Sequence, residues 1–558
     1  MTSHPRSPAP TRPSARWVGL LVGLTVVAAA VGVLTKQWCR VNGWAAPGVH
    51  AHMCYSDFAQ LFPTRGLSDG HFPFYTPLPP EQWMEYPALL AVVAGVTMWL
   101  VPASGDLHER TVTYFDVNAI GVVLCWIVLV VATAYTARGR SRDALLVALA
   151  PGIILTSMLN WDLWAVMLAA LALWAWTAGR PTLAGLLIGL GTATKLYPLF
   201  FFGAIFVLAL RTGRWAGFVK AAVAGAAAWL AVNLPFMLTA FDQWSRFYTF
   251  SGDRAVSFSS TWLALAWTGW SGETFTTLQN GLFLVCCVGI AYLALAARHR
   301  PRMAQLCFLI VASFILWGKV YSPQFVMWLI PLVVLATPRW RAFWIWQAVE
   351  VYHWGGVWME SARITSDGAF AGGAWWITAW YASGIVAHIV ALVWLMTTVV
   401  KDILDPARDP VRRTALDQGA PEIAPGVAED PHAGVFTGAR DRLLLPPAGR
   451  GLQPLGAGQC LLRGEGVPAA ELGHRGVHDH PRGQLVADVP VQPDVGAGRQ
   501  VRHGVVGGLD AHPVRDQRDR VVEVAGVLRR RHVADDRAVQ RVHLREERGA
   551  DQAGGQCR

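Results

Sequence analysis

A hydrophilic loop after the first apolar segment carries the residues best suited to chemistry. The loop spans residues 36–86, with Tyr55-Ser56-Asp57 in its first half and Glu85-Tyr86-Pro87 at its end. Long ordered loops in compact proteins are usually functional. A carboxylate, phenols and a second acid in one such loop suit acid–base chemistry on a hydroxyl.

Asp57 is the residue in this loop that could act as a general base. It precedes Phe58, Leu61 and Phe62, whose spacing predicts a short amphipathic helix lying on a membrane surface. Such a helix would hold the carboxylate at the boundary between water and lipid. The alternative is that Asp57 only caps the helix or is a solvated acid.

Further polar residues interrupt the apolar segments downstream. Ionisable groups at membrane depth are costly, so they usually face a cavity and serve function, although each could equally form a buried structural pair. As a set they suit a site for a lipid-linked anion, because lysines would neutralise phosphate charge. These residues are Asp162, Lys195, Tyr197, Lys319, Gln324, Glu350 and His353.

The elements that must position these residues are membrane helices. The chain has 558 residues, of which 53% are hydrophobic and 15% charged, and the charges cluster between long apolar runs. A membrane helix needs roughly 20 mostly apolar residues. We therefore predict an all-α polytopic membrane protein with about 11–12 transmembrane helices over residues 17–403, preceded by a cytoplasmic tail at 1–16. The predicted spans are 17–35, 87–102, 115–137, 143–159, 161–179, 183–210, 216–238, 279–297, 303–317, 322–337, 341–358 and 375–400.

Arginine-rich loops at 138–142, 211–214 and 298–302 are predicted to be cytoplasmic, which places the loop 36–86 outside. If 87–102 and 115–137 both crossed the membrane, the loop 138–142 would also fall outside. One of these two segments is therefore re-entrant or not a span. Lys195 and Pro198 favour two short helices within 183–210.

Cysteine usage and charge restrict the remaining possibilities. Cys39 and Cys54 lie in the outer loop, where an oxidising exterior would permit a disulfide, although both could equally be free. No CxxC or Cys/His spacing indicates a metal site. The net charge of +10 comes partly from the C-terminal region and does not indicate a nucleic-acid partner.

The composition changes sharply after residue 403. Residues 404–558 contain no Lys, Asn, Ser, Met, Trp or Tyr, and Phe436 is their only Phe. Too few large apolar side chains remain to build a core, which predicts a disordered tail. The missing residue types also suggest a GC-rich gene read in a shifted frame from about Leu443 onward.

Several motifs, in order, resemble the C-superfamily of membrane glycosyltransferases. More narrowly, the chain is similar over about residues 17–442 to glycosyltransferase family 87, the polyprenyl-phosphate-mannose-dependent mannosyltransferases of actinobacteria. The motifs are Tyr55-Ser56-Asp57, Glu85-Tyr86-Pro87, Asn160-Trp161-Asp162-Leu163, Gly179-Arg180-Pro181, Ala193-Thr194-Lys195-Leu196-Tyr197-Pro198, Arg254 with Ser260 and Trp262, Ser322-Pro323-Gln324, Glu350-Val351-Tyr352 with Trp358, and Asp430-Pro431-His432-Ala433-Gly434 before Arg442.

The resemblance implies an enzyme of the plasma membrane, with its active site on the extracytoplasmic side. It would transfer mannose or a related hexose from a polyprenyl phosphate to a cell-envelope glycolipid or polysaccharide. Asp57 matches the catalytic acid of the first outer loop and would act as base in a single inverting displacement. Lys195, Arg254 or Lys319 would stabilise the phosphate. The resemblance implies no cofactor, and because the first loop lacks the Asp-x-Asp pair of the metal-dependent members we expect no metal. Aromatic and polar side chains, including Tyr55, Glu85, Tyr86 and Tyr197, would contact substrate.

Two other interpretations remain open from the sequence. A transporter or flippase for a lipid-linked sugar would tend to have repeated halves with interrupted helices in matching places. No convincing repeat is present, and the single long outer loop is asymmetric. A purely structural membrane scaffold would not need Asp57, Asp162, Lys195 and Glu350.

Overall fold

The computed structural model describes residues 12–266 and 273–446. The helices of these residues are α1 (Ala15–Leu34), α2 (Gln37–Asn42), α3 (Gly48–Ala51), α4 (Asp57–Thr64), α5 (Ala88–Met98), α6 (Leu107–Thr136), α7 (Ala144–Ala148), α8 (Pro151–Thr156), α9 (Asp162–Thr177), α10 (Pro181–Thr194), α11 (Phe201–Thr212), α12 (Trp215–Thr239), α13 (Phe241–Asp253), α14 (Thr261–Ala266), α15 (Glu273–Ala296), α16 (Met303–Trp317), α17 (Val326–Ala336), α18 (Trp340–Thr365), α19 (Trp375–Leu404) and α20 (Pro410–Asp417). A small antiparallel hairpin joins β1 (Glu422–Ala424) to β2 (Val427–Ala428).

The architecture is that of an all-α polytopic membrane protein, as predicted. Lipid offers no partner to a free N–H or C=O, so helices, which satisfy both internally, are the means of crossing. Among the described helices, α1, α6, α12, α15 and α19 are long and apolar enough to cross a membrane. Six shorter apolar helices accompany them. The predicted span 143–159 is instead divided into α7 and α8.

The short helix α5 resolves the topology around the loop 138–142. It has 11 residues, a length of about 16 Å, whereas the hydrocarbon core is about 30 Å thick. Of the two segments, 115–137 thus lies in a helix long enough to cross the membrane, whereas 87–102 does not. The Trp17 indole N–H at the start of α1 donates to the Ser141 carbonyl, at 3.4 Å. The N-terminus and the loop 138–142 thus lie on the same side, as the positive-inside rule requires.

The helix after Asp57 forms as predicted, but its predicted position on the membrane surface is wrong. In α4 the side chains of Phe58, Leu61 and Phe62 are buried within the protein. Phe58 packs edge-on against Trp161, with centroids 4.8 Å apart, and Phe62 stacks on Tyr114 at 4.5 Å. Aromatic partners from α6 and from the start of α9 take the place of lipid.

Two short helices, α10 and α11, are joined by a turn that contains Lys195. The break between them follows the prediction from Lys195 and Pro198. Small residues bring α10 against α12: a Cβ on Gly185 would lie 2.0 Å from the Ala221 carbonyl oxygen, and one on Gly189 would lie 2.2 Å from that of Gly225. Such close backbone contact is the usual way in which membrane helices associate. It fixes the end of α10 that carries Lys195.

Cys39 and Cys54 form a disulfide, which the sequence left open. The bond joins α2 to the segment that follows α3. It therefore closes the part of the outer loop that leads directly to Asp57.

The predicted disorder of the tail is wrong for residues 405–446, which are folded against the end of the bundle opposite Asp57. Val411, Arg412, His432 and Phe436 are buried there, and Phe436 contacts Trp176, with centroids 5.3 Å apart. Composition did not predict this packing, because the tail has few large apolar side chains of its own and buries them against the helices. The proposed frame shift concerns residues that, from 447 onward, lie outside the described part of the chain.

Buried arginine–aspartate pairs tie the tail to the arginine-rich loops. Arg302, which is fully buried, pairs with Asp409 at 2.7 Å and also donates to the carbonyls of Leu335 and Ala336 at the end of α17. Arg211 pairs with Asp441 at 2.7 Å. The tail is therefore part of the folded domain at the predicted cytoplasmic end.

Asp409→Ala should destabilise the protein strongly. The change leaves the Arg302 guanidinium buried without a carboxylate, which costs about 3–5 kcal/mol. Asp116→Ala is the control, because its pair with Arg40 is partly exposed, at 42% and 23% of their side-chain surfaces, and should contribute less than about 1 kcal/mol. Thermal unfolding of the purified protein in detergent measures both. Equal losses for the two variants would contradict this account of the tail.

Candidate active site

Asp57 begins α4, and its backbone N–H donates to the Leu159 carbonyl at 2.7 Å. This bond ties the outer loop to the turn between α8 and α9. Part of the residue remains exposed, whereas its carboxyl group is surrounded by protein. That burial raises the pKa of the Asp57 carboxyl, and hydrogen bonds from Tyr86 and Tyr55 oppose the rise. The result is a carboxylate more basic than an ordinary aspartate.

A hydrogen-bond relay orients the Asp57 carboxylate. The Tyr86 hydroxyl donates to Asp57 Oδ2, and the Asn160 side-chain amide donates to the Tyr86 oxygen at 3.2 Å. Asn160 was quoted in a motif but was not predicted as a site residue. The available sequence signal was an amide at the start of an apolar segment. In the structure this side chain is fully buried.

Lys195 and Asp162 meet beside this relay. Lys195 Nζ lies 2.7 Å from Asp162 Oδ1 and 4.8 Å from the centre of the Tyr86 ring. The Trp328 indole N–H donates to Asp162 Oδ2 at 2.9 Å. We call Asp57, Tyr86, Asn160, Asp162 and Lys195 the Asp57 cluster. It joins the outer loop to the tips of α9 and α10.

Tyr55, Glu85 and Tyr197 surround the cluster in different ways. Tyr55 stacks on Trp358, with centroids 5.6 Å apart. Glu85 accepts two hydrogen bonds from Arg65, both 2.7 Å long, so it fixes the end of the loop. Tyr197 stacks almost parallel on Trp328, at 4.7 Å and 10°. Neither Trp328 nor Arg65 was predicted from the sequence.

Arg254 is the cation near the cluster that no acid neutralises by direct contact. No carboxylate of the described residues lies within 4 Å of it. Its guanidinium lies 5.8 Å from the Phe250 ring centre and 5.5 Å from that of Phe258. Burial lowers the pKa of Arg254, and the charges of Asp57 and other site groups oppose that change. Arg254 is thus free to meet an anion.

Lys319 and Gln324 have local partners outside the Asp57 cluster. Lys319 Nζ donates to the Gly252 carbonyl at 2.6 Å, and the Ser257 N–H donates to the Lys319 carbonyl at 3.1 Å. Lys319 therefore holds the segment that carries Arg254. Gln324 lies in the single 3₁₀ turn Pro323–Phe325 before α17.

Glu350 and His353 belong to a second polar group, which we call the Glu350 cluster. Glu350 accepts from the Tyr321 hydroxyl at 3.0 Å and from the Trp346 indole at 2.9 Å. His353 Nδ1 lies 3.9 Å from Glu350 Oε2. His388, which was not predicted, stacks on Tyr321 at 4.3 Å. A histidine inside the apolar segment 375–400 was the signal.

The two clusters are separated by stacked aromatic rings. Trp328, which binds Asp162, stacks on Phe325 with centroids 4.1 Å apart, and Phe325 contacts Tyr321 at 6.2 Å. A small cleft lies beside Glu350 and His353, between α8 and α18. The structure therefore does not bring Glu350 and His353 into contact with Asp57.

No group of three or more His, Cys, Asp and Glu side chains that could hold a metal occurs within residues 12–266 and 273–446. The chemistry available to the Asp57 cluster is that of an oriented base beside cations. It can accept a proton from a hydroxyl while Arg254 or Lys195 faces an anionic leaving group.

Comparisons with known proteins bear on what this chemistry serves. The model of glycosyltransferase family 87 matches residues 73–317, a region that contains Tyr86, Asp162, Lys195 and Arg254 and begins after Asp57. No curated protein matches the chain. Among solved structures, ArnT from Cupriavidus metallidurans bound to undecaprenyl phosphate is similar, with 15% identity, a TM-score of 0.37, and coverage of 70% of this chain and 78% of that one. Over residues 73–317 the chain is thus similar to the glycosyltransferases of family 87.

Proposed function

We propose that this enzyme transfers a hexose, mannose by the sequence resemblance, from a polyprenyl phosphate to a glycolipid or polysaccharide of the cell envelope. Asp57 removes the proton from the acceptor hydroxyl. The acceptor oxygen bonds to the anomeric carbon as the bond from that carbon to the phosphate oxygen breaks. Configuration inverts, and polyprenyl phosphate leaves. The observation that carries the proposal is the buried, oriented Asp57 carboxylate beside uncompensated Arg254.

The environment of Asp57 supports the role of base. The hydrogen bond from Tyr86 fixes Oδ2 of the carboxylate, and Tyr55 is a second hydrogen-bonding neighbour of the same group. Burial raises the pKa of Asp57, which strengthens it as a proton acceptor.

The cations differ in their availability to phosphate. Lys195 already pairs with Asp162 at 2.7 Å, and Lys319 is bound to the Gly252 carbonyl. Arg254 has no such partner, and its planar guanidinium suits two phosphate oxygens at once. We therefore assign the leaving phosphate to Arg254 first, with Lys195 beside it.

The arrangement of loops supports an extracytoplasmic site. Arg138 donates to the Thr177 carbonyl, and Arg214 donates to the carbonyls of Val435 and Thr437. The arginine-rich loops thus collect around the tail, at the end of the bundle opposite the loop 36–86. Positive charge favours the cytoplasm, so Asp57 faces the exterior.

Asp57→Asn should lower sugar transfer by at least about 100-fold, because general-base catalysis contributes about 10²–10⁴. Asp69→Asn is the control, since Asp69 is an exposed acid of the same loop. Membranes with each variant receive radiolabelled polyprenyl-phosphate mannose, and label in the glycolipid and polysaccharide fractions is counted. Undiminished transfer by the Asp57→Asn variant removes Asp57 from the mechanism. Donor movement across the membrane without transfer favours a flippase.

Tyr86→Phe should move the acidic limb of the kcat/KM profile to higher pH. The base is active when deprotonated, so activity falls as pH drops through the Asp57 pKa. Loss of the Tyr86 hydrogen bond, worth about 1.5–3 kcal/mol to a charged acceptor, raises that pKa further by about 1–2 units. Tyr75→Phe alters an exposed phenol of the same loop and should leave the limb in place. An unmoved limb in both variants would exclude the relay.

Lys195→Met alone should destabilise the protein by about 3–5 kcal/mol, because Asp162 is left buried without its cation. The double variant Lys195→Met with Asp162→Asn removes both charges and should recover most of the loss in thermal unfolding. The exposed Lys220→Met is the control. If Lys195 also meets donor phosphate, the double variant raises the donor KM by about tenfold, close to the 1.4 kcal/mol of one ionic contact, with little change for the acceptor. An unchanged donor KM would make Lys195 purely structural.

A further inference from the structure

A fully buried lysine lies beneath the segment that leads to Asp57. Lys36 follows α1, has no exposed surface, and has no carboxylate of the described residues within 4 Å. Its Nζ lies 3.2 Å from the Tyr55 carbonyl oxygen and 3.4 Å from that of Met53. The ammonium group therefore finds its partners in the backbone of the outer loop.

Packing alone does not explain a lysine at this position. Burying a charge without a counter-ion is costly, and an apolar side chain of similar length would avoid that cost. The amine differs from such a side chain in its ability to donate to both carbonyls. Its position thus points to a task in holding this backbone.

The backbone that Lys36 contacts has a conformation that must be stabilised by its surroundings. Met53 has a φ of +51°, in the left-handed region that non-glycine residues adopt only at some cost. Cys54, between the two bonded carbonyls, is fixed by its disulfide to Cys39. Two residues after Tyr55, the Asp57 N–H is bonded to Leu159.

We propose that Lys36 is a positioning residue, whose ammonium group fixes residues 53–55 so that Asp57 is presented to the acceptor. This inference rests on the proposed role of Asp57 as the base. Lys36 acts from beneath the loop, the disulfide acts from its side, and neither contacts substrate.

A charged Lys36 clamp implies that the rate of sugar transfer falls at alkaline pH. Burial lowers the pKa of Lys36 to about 7, so the protonated clamp is present below that pH and is lost as pH rises through it. Other titratable or charged groups on the neighbouring elements are Arg40, His50, Tyr55 and Asp57. Burial lowers the pKa of His50 and raises that of Tyr55, so neither moves toward an alkaline limit near pH 7–8.

Lys36→Arg, Lys36→Met and the exposed Lys220→Met, each in the full chain in liposomes, test the clamp. Transfer is followed from pH 5.5 to 9.5 with polyprenyl-phosphate mannose. We expect the alkaline limb to shift upward by more than one pH unit in the arginine variant, because arginine stays charged. The methionine variant at position 36 should lose about tenfold in kcat at pH 6.5 with donor KM changed less than twofold, and Lys220→Met should match the wild type.

Hydrogen exchange supplies a readout that is independent of activity. Amides of residues 53–57 should exchange at least about tenfold faster in Lys36→Met than in Lys220→Met. Unchanged exchange together with an unchanged alkaline limb in Lys36→Arg would overturn the proposal. Full activity of Asp57→Asn would instead overturn the proposed function, whatever the Lys36 variants do, and faster exchange alone would reduce Lys36 to a structural role.

Discussion

The ion pair between Lys195 and Asp162 allows a polar site to exist among helices that are otherwise apolar. Lipid and packed hydrocarbon stabilise neither charge alone, so each charge requires the other as its partner. The pair joins the turn between α10 and α11 to the start of α9, and through Trp328 it reaches α17. Tyr86 lies over the lysine, which connects the outer loop to the same point. The position of Asp57 therefore depends on a charge balance set deeper in the bundle.

The opposite end of the protein uses the same chemistry for another purpose. Arg211 and Arg302 are buried there and paired with Asp441 and Asp409 of the folded tail. Guanidinium groups suit this task because they satisfy several carbonyls and a carboxylate together. These pairs fix the helices where they emerge on the predicted cytoplasmic side. At the end of the bundle that carries the loop 36–86, Arg254 has no carboxylate of the described residues within 4 Å.

The sequence predicted the elements better than their contacts. Hydropathy located the long helices, and Lys195 with Pro198 marked the break after α10. It could not reveal that Phe58 and Phe62 face protein instead of lipid, because both environments favour the same residues. The folding of the tail was not predicted, because Asp409 pairs with Arg302, which lies more than 100 positions away in the sequence. Tyr86 and Lys195 were predicted as site residues and meet beside Asp57, whereas Glu350 and His353 fall in a separate cluster that helical spacing alone cannot locate.

The shortness of α10 has a consequence for the surrounding bilayer. α10 has 14 residues, about 21 Å of helix, against a hydrocarbon core of about 30 Å. Leu186 of α10 and Leu199 before α11 are exposed on the protein surface, so lipid adjoins this region. Such a mismatch is met by local thinning of the bilayer or by tilt. Local thinning would draw the lipid headgroup layer toward Lys195, so that a lipid phosphate could reach this residue with its chains still in hydrocarbon.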